Sequence, residues 1–177
     1  MERLSVRIVS ILAFAIVLAT DVLYVVLINA QGQSAQPYIA RFVGGYLAVM
    51  AALIAVALVP RPETVRIRVA LRAAAAGGLL LMGFLASFSI GLPLVLAGFL
   101  VFFTLTRTAR ENRSRPARLS GLVAAAVAVV VLLTGLEVTQ RLIVCPDEGT
   151  QAGGGSGLIT GPYQYECNNG TMHFHSG

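Results

Sequence analysis

The chain has 177 residues, 56% of them hydrophobic and 12% charged, about half the charged share of an ordinary soluble domain, and a mean hydropathy of +0.80. Its apolar residues come in runs too long for a water-soluble core of this size to bury, which excludes the soluble enzyme classes. All 13 basic residues are Arg, set against 8 acidic ones; they lie in short stretches between the apolar runs, where headgroup contact and orientation in the bilayer account for them and a nucleic-acid surface does not.

A membrane-spanning helix needs about 20 mostly apolar residues. The first run that meets this is 8–28, preceded by Arg3 and Arg7. It exceeds the roughly 7 to 15 residues of a secretory signal core, and Ala30 has Ile28 two positions before it, a poor cleavage site, so the run reads as a retained anchor. The second span is 39–59, with Arg41 near its start. The Arg-rich stretch that follows, with Arg61, Arg66, Arg68 and Arg72, reads as a solvated linker.

Residues 73–106 would make a single helix of about 51 Å, too long for one crossing. Ile90-Gly91-Leu92-Pro93 supplies a break signal, which predicts two spans, 73–90 and 93–106, with Pro93 at the first position of the second. The second is short, so it either crosses in full or forms a re-entrant hairpin with its neighbour. Gly83, Ser87 and Gly91, and likewise Gly121 and Ala125, recur at the four-residue spacing that lets helices approach closely; internal packing is the expected use and oligomerisation the alternative. Phe99, Phe102 and Phe103 are expected to face lipid or pack. The fifth span is 119–144.

Charge placement orients these spans. Eleven of the 13 Arg residues fall before span one, between spans two and three, or between spans four and five, leaving Arg41 and Arg141 for the other side. Five crossings then put the N-terminus inside and the C-terminus outside. The expected fold is an all-α polytopic membrane protein, with a helical bundle over 1–144 and an extracytoplasmic, disulfide-tied tail over 145–177. Abundant Ala, Val, Leu, Gly and Arg without Lys suit a GC-rich bacterial genome, hence a bacterial plasma (inner) membrane.

An ionisable residue inside a span is costly and marks a candidate site. Asp21 and Glu137 each lie seven residues before the expected outer end of their span, at a matched depth of about 10 Å. Arg141 is one turn beyond Glu137, and Arg41 lies at the outer start of span two. Either Glu137 pairs with Arg141 and Asp21 with Arg41 to hold the bundle together, or the four form an outer-leaflet pocket for a small solute, an ion or a proton.

In the tail, QAGGGSG over 151–157 reads as a flexible linker. Gly161-Pro162-Tyr163-Gln164-Tyr165 and Asn168-Asn169-Gly170 predict turns and a short hairpin. Asn169-Gly170-Thr171 matches a glycosylation pattern and is read as a turn. Cys145 and Cys167, outside in an oxidising compartment, are expected to form a disulfide worth roughly 3 kcal/mol on the chain-entropy model. A metal held by Cys145, Cys167, His173 and His175 is disfavoured by spacing, and redox chemistry by the absence of Cys-x-x-Cys.

No nucleotide loop, His-Glu-x-x-His helix or Gly-x-Ser-x-Gly elbow is present, and no His lies in a span to hold haem. The chain is therefore expected to be a non-catalytic integral membrane protein, an accessory or assembly subunit presenting its tail to a partner. It is expected to need no cofactor or metal, and to associate with the lipid bilayer and with a membrane-protein partner or a second copy. The alternative is a small transporter or sensor built around Asp21 and Glu137. An enzyme using either acid as acid or base is the weakest reading.

Overall fold

Proline sits in the first turn of four of the five helices, at Pro37, Pro62, Pro93 and Pro116. There its missing N–H belongs to a group that has no helical acceptor anyway, so each proline sets a starting point at no cost in hydrogen bonds. The computed structural model describes residues 4–31, 37–59, 62–111, 115–157 and 159–176. Its helices are α1 (Leu4–Gln31), α2 (Pro37–Leu58), α3 (Pro62–Leu85), α4 (Gly91–Glu111) and α5 (Arg115–Arg141). Each contains a stretch of 19 to 27 residues long and apolar enough to cross a membrane. Three short strands follow, β1 (Thr150–Gly157), β2 (Gly161–Asn168) and β3 (Thr171–Ser176), so the fold is mostly helical with a small sheet added, not all-α.

Every helix starts before its expected span, most of all the third, which begins eleven residues early and ends at Leu85, five residues short of the expected 90. Residues 62–72 are not a linker but the first turns of α3. Arg68 donates to the carbonyl of Val59 at 2.8 Å, and Arg72 is only 2% exposed, its guanidinium donating to the Thr108 hydroxyl of α4. Once Pro62 has started the helix, no breaker intervenes, and a guanidinium with a hydroxyl partner can be accommodated inside the bundle. Arg3, Arg61 and Arg113 lie outside the described residues, as do the side chains of Arg66 and Arg115.

The break before Pro93 is a turn over 86–90, in which the Gly91 and Ser89 amides both donate to the Ala86 carbonyl, at 2.8 and 2.9 Å. Helix α4 starts at Gly91 and continues past Thr106, and its 21 residues suffice for a full crossing.

Helix α3 is the hub. It packs along α4, α5 and α2, while α1 lies against α2 and α4. Over half of its apolar stretch, 56%, is buried, against 17 to 33% in the other four helices. Small residues make the close packing feasible. A Cβ on Gly77 would stand 3.3 Å from the Ala125 Cβ, and one on Gly121 would stand 3.2 Å from Val69. Gly83 does not share a helix with Gly91 but faces it across the α3–α4 turn, where a Cβ on Gly83 would meet the Val95 amide nitrogen at 2.8 Å and the Gly91 carbonyl at 3.0 Å. Gly83, Gly91, Gly121 and Ala125 are thus used in packing within the chain, whereas Ser87 lies exposed in the turn. Leu47, Leu79, Leu94 and Leu132 fill the centre with no exposed surface. The buried hydroxyls of Ser10, Thr20 and Thr104 donate to carbonyls three or four residues earlier on their own helices, so none is left unsatisfied.

Gly83→Val should cost about 1–3 kcal/mol, because beside the Val95 side chain at 2.7 Å its Cβ would meet two backbone atoms, at 2.8 and 3.0 Å, that cannot retreat. Gly45→Ala, which meets nothing within 4 Å, should leave stability unchanged. Thermal unfolding of the two variants in detergent checks the contrast.

Candidate functional site

Helix α5 ends at Arg141, three residues before the expected end of its span. Beyond it Ile143 and Val144 are β-branched, and Pro146 has no amide and turns Cys145 away from helical geometry. Gln140 therefore stands in the final helical turn with a carbonyl that needs a donor, the Glu137 carboxylate lies one turn before the helix end, and the folded tail meets both there. One Glu137 oxygen accepts from the Thr160 hydroxyl and the other from the Ile159 amide at 3.2 Å. Arg141 stands 3.6 Å from the same carboxylate and donates to Thr160. The Tyr163 hydroxyl donates to the Gln140 carbonyl at 2.9 Å. The turn between β1 and β2 is fastened to the end of α5 through these contacts.

The second fastening is covalent. Cys145, just past α5, is bonded to Cys167 in the middle strand with a Cα–Cα distance of 5.5 Å. Cys167 is fully buried in a small cluster with Tyr163, Tyr165 and Ile143.

The glycine run at 151–157 is a strand, not a linker. It pairs antiparallel with β2 so that Gly153 faces Tyr165 and Gly155 faces Tyr163. A Cβ on Gly153 would come within 2.7 Å of the Tyr165 ring, and one on Gly155 within 2.8 Å of the Tyr163 hydroxyl. The glycines let the tyrosine rings lie flat across the neighbouring strand, and the rings cover backbone that glycine would otherwise expose. The matching two-residue period of Gly153, Gly155 and of Tyr163, Tyr165 was the available signal, and it becomes visible only once the two segments are aligned.

Strands β2 and β3 join through Asn169 and Gly170, both at positive φ (45° and 79°), the tight hairpin turn that Asn-Gly favours. The Asn169 side chain accepts from the Gly149 amide at 3.1 Å, and its own amide donates back to the Gly149 carbonyl at 3.0 Å. Both cysteines are committed to the disulfide, and among the described residues no group of three His, Cys, Asp or Glu side chains is placed to hold a metal. The His175 side chain lies outside the described residues.

Of the four residues expected to share a pocket, the structure brings Glu137 and Arg141 together. The Arg41 guanidinium lies 6.0 Å from the Tyr38 ring centre. Asp21 lies on the flank of α1 against Gly44 of α2, with no ion pair or hydrogen bond to a described residue. The matched depth also changes, since α1 runs to Gln31 while α5 stops at Arg141: Asp21 is about 15 Å from its helix end and Glu137 about 6 Å from its own.

A groove of about 580 Å³ opens between α2 and α5 over α3, lined by Phe42, Val49, Leu53, Leu71, Val127 and Val131 among others. Its one hydroxyl, on Tyr46, is spent on the Ala128 carbonyl at 3.0 Å, so it offers lipid tails a surface and a polar solute none.

No protein-family model, curated protein or solved structure matches the chain, and the reading of function rests on this geometry.

Glu137→Leu should free the β1–β2 turn by about 1.5–3 kcal/mol, the worth of hydrogen bonds to a charged group. Amide exchange at Ile159 should then accelerate roughly 10- to 100-fold. Hydrogen-exchange mass spectrometry reads this directly, and unchanged protection would mean that the carboxylate does not hold the sheet.

Proposed function

We propose that the chain is a non-catalytic integral membrane protein, an accessory or assembly subunit of a bacterial plasma membrane, that holds a small sheet at the extracytoplasmic surface for a partner to bind. The observation that carries this reading is the double attachment of the sheet to α5, through Glu137, Arg141, Thr160 and Ile159 at the turn and through Cys145–Cys167 at the strand. A surface held so firmly loses little freedom when a partner docks, and more of the contact energy remains as affinity. Its exposed features suit a protein partner. Strands β1 and β3 are both sheet edges, and Ile159, Met172 and Phe174 keep 41 to 63% of their surface.

A small transporter or sensor with an outer-leaflet polar pocket has less support, because both Glu137 oxygens are already engaged by the sheet. Asp21, with its unbonded oxygen, is the one observation in its favour.

The sidedness belongs to the same proposal. The Arg residues gather where α1 begins, where α2 meets α3 and where α4 meets α5, and the positive-inside rule makes that end cytoplasmic and the sheet extracytoplasmic. An impermeant thiol reagent on intact cells should label Cys145 and Cys167 only after reduction. Labelling without reductant would contradict the bridge, and no labelling after reduction would contradict an outside sheet.

Purification at native expression in mild detergent, followed by mass measurement of the intact assembly, should find a stoichiometric second protein. That protein should be lost when Glu137→Leu and Thr160→Val are combined to release the sheet. A lone monomer or homo-oligomer would overturn the accessory-subunit reading.

A further inference from the structure

A carboxylate in the hydrocarbon region of a bilayer is expensive, and such groups almost always pair with another polar group or face a water-filled cavity. Among the described residues Asp21 has no such partner. It lies about 15 Å from the end of α1, and one of its oxygens is buried without a hydrogen-bond partner. Among the described residues no polar group forms a hydrogen bond or ion pair with it. The Thr20 hydroxyl is committed to the Ile16 carbonyl, and Arg41, the one basic residue of α2, is turned over Tyr38. Around it Leu18, Val22 and Val25 are exposed, and α1 is the least buried of the five helices. On the α2 side stands Gly44, where even an added Cβ would remain 3.5 Å from the Asp21 oxygen.

We infer that Asp21 is completed by a basic side chain, Lys, Arg or His, carried at matching depth by a transmembrane helix of a different protein packed along the α1–α2 flank. Charge complementarity selects this occupant. A second copy of the chain is a poor source, because its Arg41 is already turned over its own Tyr38 and its Arg72 is buried near the opposite end against Thr108. A bare metal ion needs several oxygen ligands, and among the described residues no cluster supplies them. The inference rests on the accessory-subunit reading and deepens it: the partner engages the sheet outside the membrane and the carboxylate inside it.

The experiment places a photoreactive residue at Ala48, exposed on α2 one turn from Gly44, in the full chain in native membranes, with Val130 on α5 as the control position. The expected product is a crosslink to one other protein whose spanning segment carries a basic residue. Asp21→Leu lowers its yield about tenfold, a change of ~1.4 kcal/mol, while the Cys145–Cys167 bridge still forms as proof of folding. Arg41→Leu leaves the yield unchanged. Exchanging the charges, Asp21→Lys with the partner's basic residue made Asp, restores it. The inference is overturned by a yield that survives Asp21→Leu, by a crosslink no stronger than at Val130, by a product that is a second copy or lacks an intramembrane basic residue, or by failure of the charge exchange. A partner that survives Asp21→Leu but is lost on releasing the sheet sinks this inference alone; one lost with Asp21→Leu but retained on releasing the sheet sinks the role given to the sheet.

Discussion

A helix touched by three others must present little side chain on the sides it shares, and α3 meets this requirement with an unusual run of alanine and glycine. Ala73 to Ala76 are buried, Gly77 sits against Ala125, Gly78 makes room for the Tyr46 phenol, and Gly83 lies against the start of α4. In lipid, where apolar surface gains nothing by leaving its surroundings, this closeness is itself the source of cohesion, through dispersion contacts between backbones. The positions of α4 and α5 follow from α3, and the end of α5 in turn positions the sheet. A larger residue in the alanine run would disturb the whole arrangement.

The two acids that lie within the apolar stretches, Asp21 and Glu137, are treated in opposite ways. Glu137 is near a helix end, where an amide, a hydroxyl and a guanidinium can all reach it, and its charge is spent on attaching the sheet. Asp21 is deeper, where the Thr20 hydroxyl is committed to its own helix and the Arg41 guanidinium is turned over an aromatic ring. Carboxylates that look equivalent along the chain differ because one can be met from the aqueous side and the other only from within the membrane.

What the sequence made legible follows the range of the interactions involved. The five apolar runs, the break before Pro93, the Asn169-Gly170 turn and the cysteine pair are signals contained in a few neighbouring residues or in composition. The identity of 151–157 is not, since seven small and polar residues become a strand only because Tyr163 and Tyr165 lie across them. Nor is the fate of Arg72, which composition assigns to a loop and which a hydroxyl on another helix draws into the bundle. The pairing of Glu137 with Arg141 could be anticipated from helical spacing, whereas its larger role depends on Thr160 and Ile159, more than twenty residues away. The separation of Asp21 from that cluster follows from which helices are neighbours, and that is a property of the packed bundle.

The position of the disulfide decides how the sheet bears a load. Cys145 follows the last helix and Cys167 lies in the middle strand, so a pull on β3 passes through its ladder to β2, across the sulfur bridge and into α5. The peptide backbone of β1, the weakest strand by composition, is bypassed. A tether taken up at the edge of the sheet is thereby coupled to a helix long and apolar enough to cross a membrane by a short covalent path, and the glycine strand is left to support the tyrosines without carrying tension.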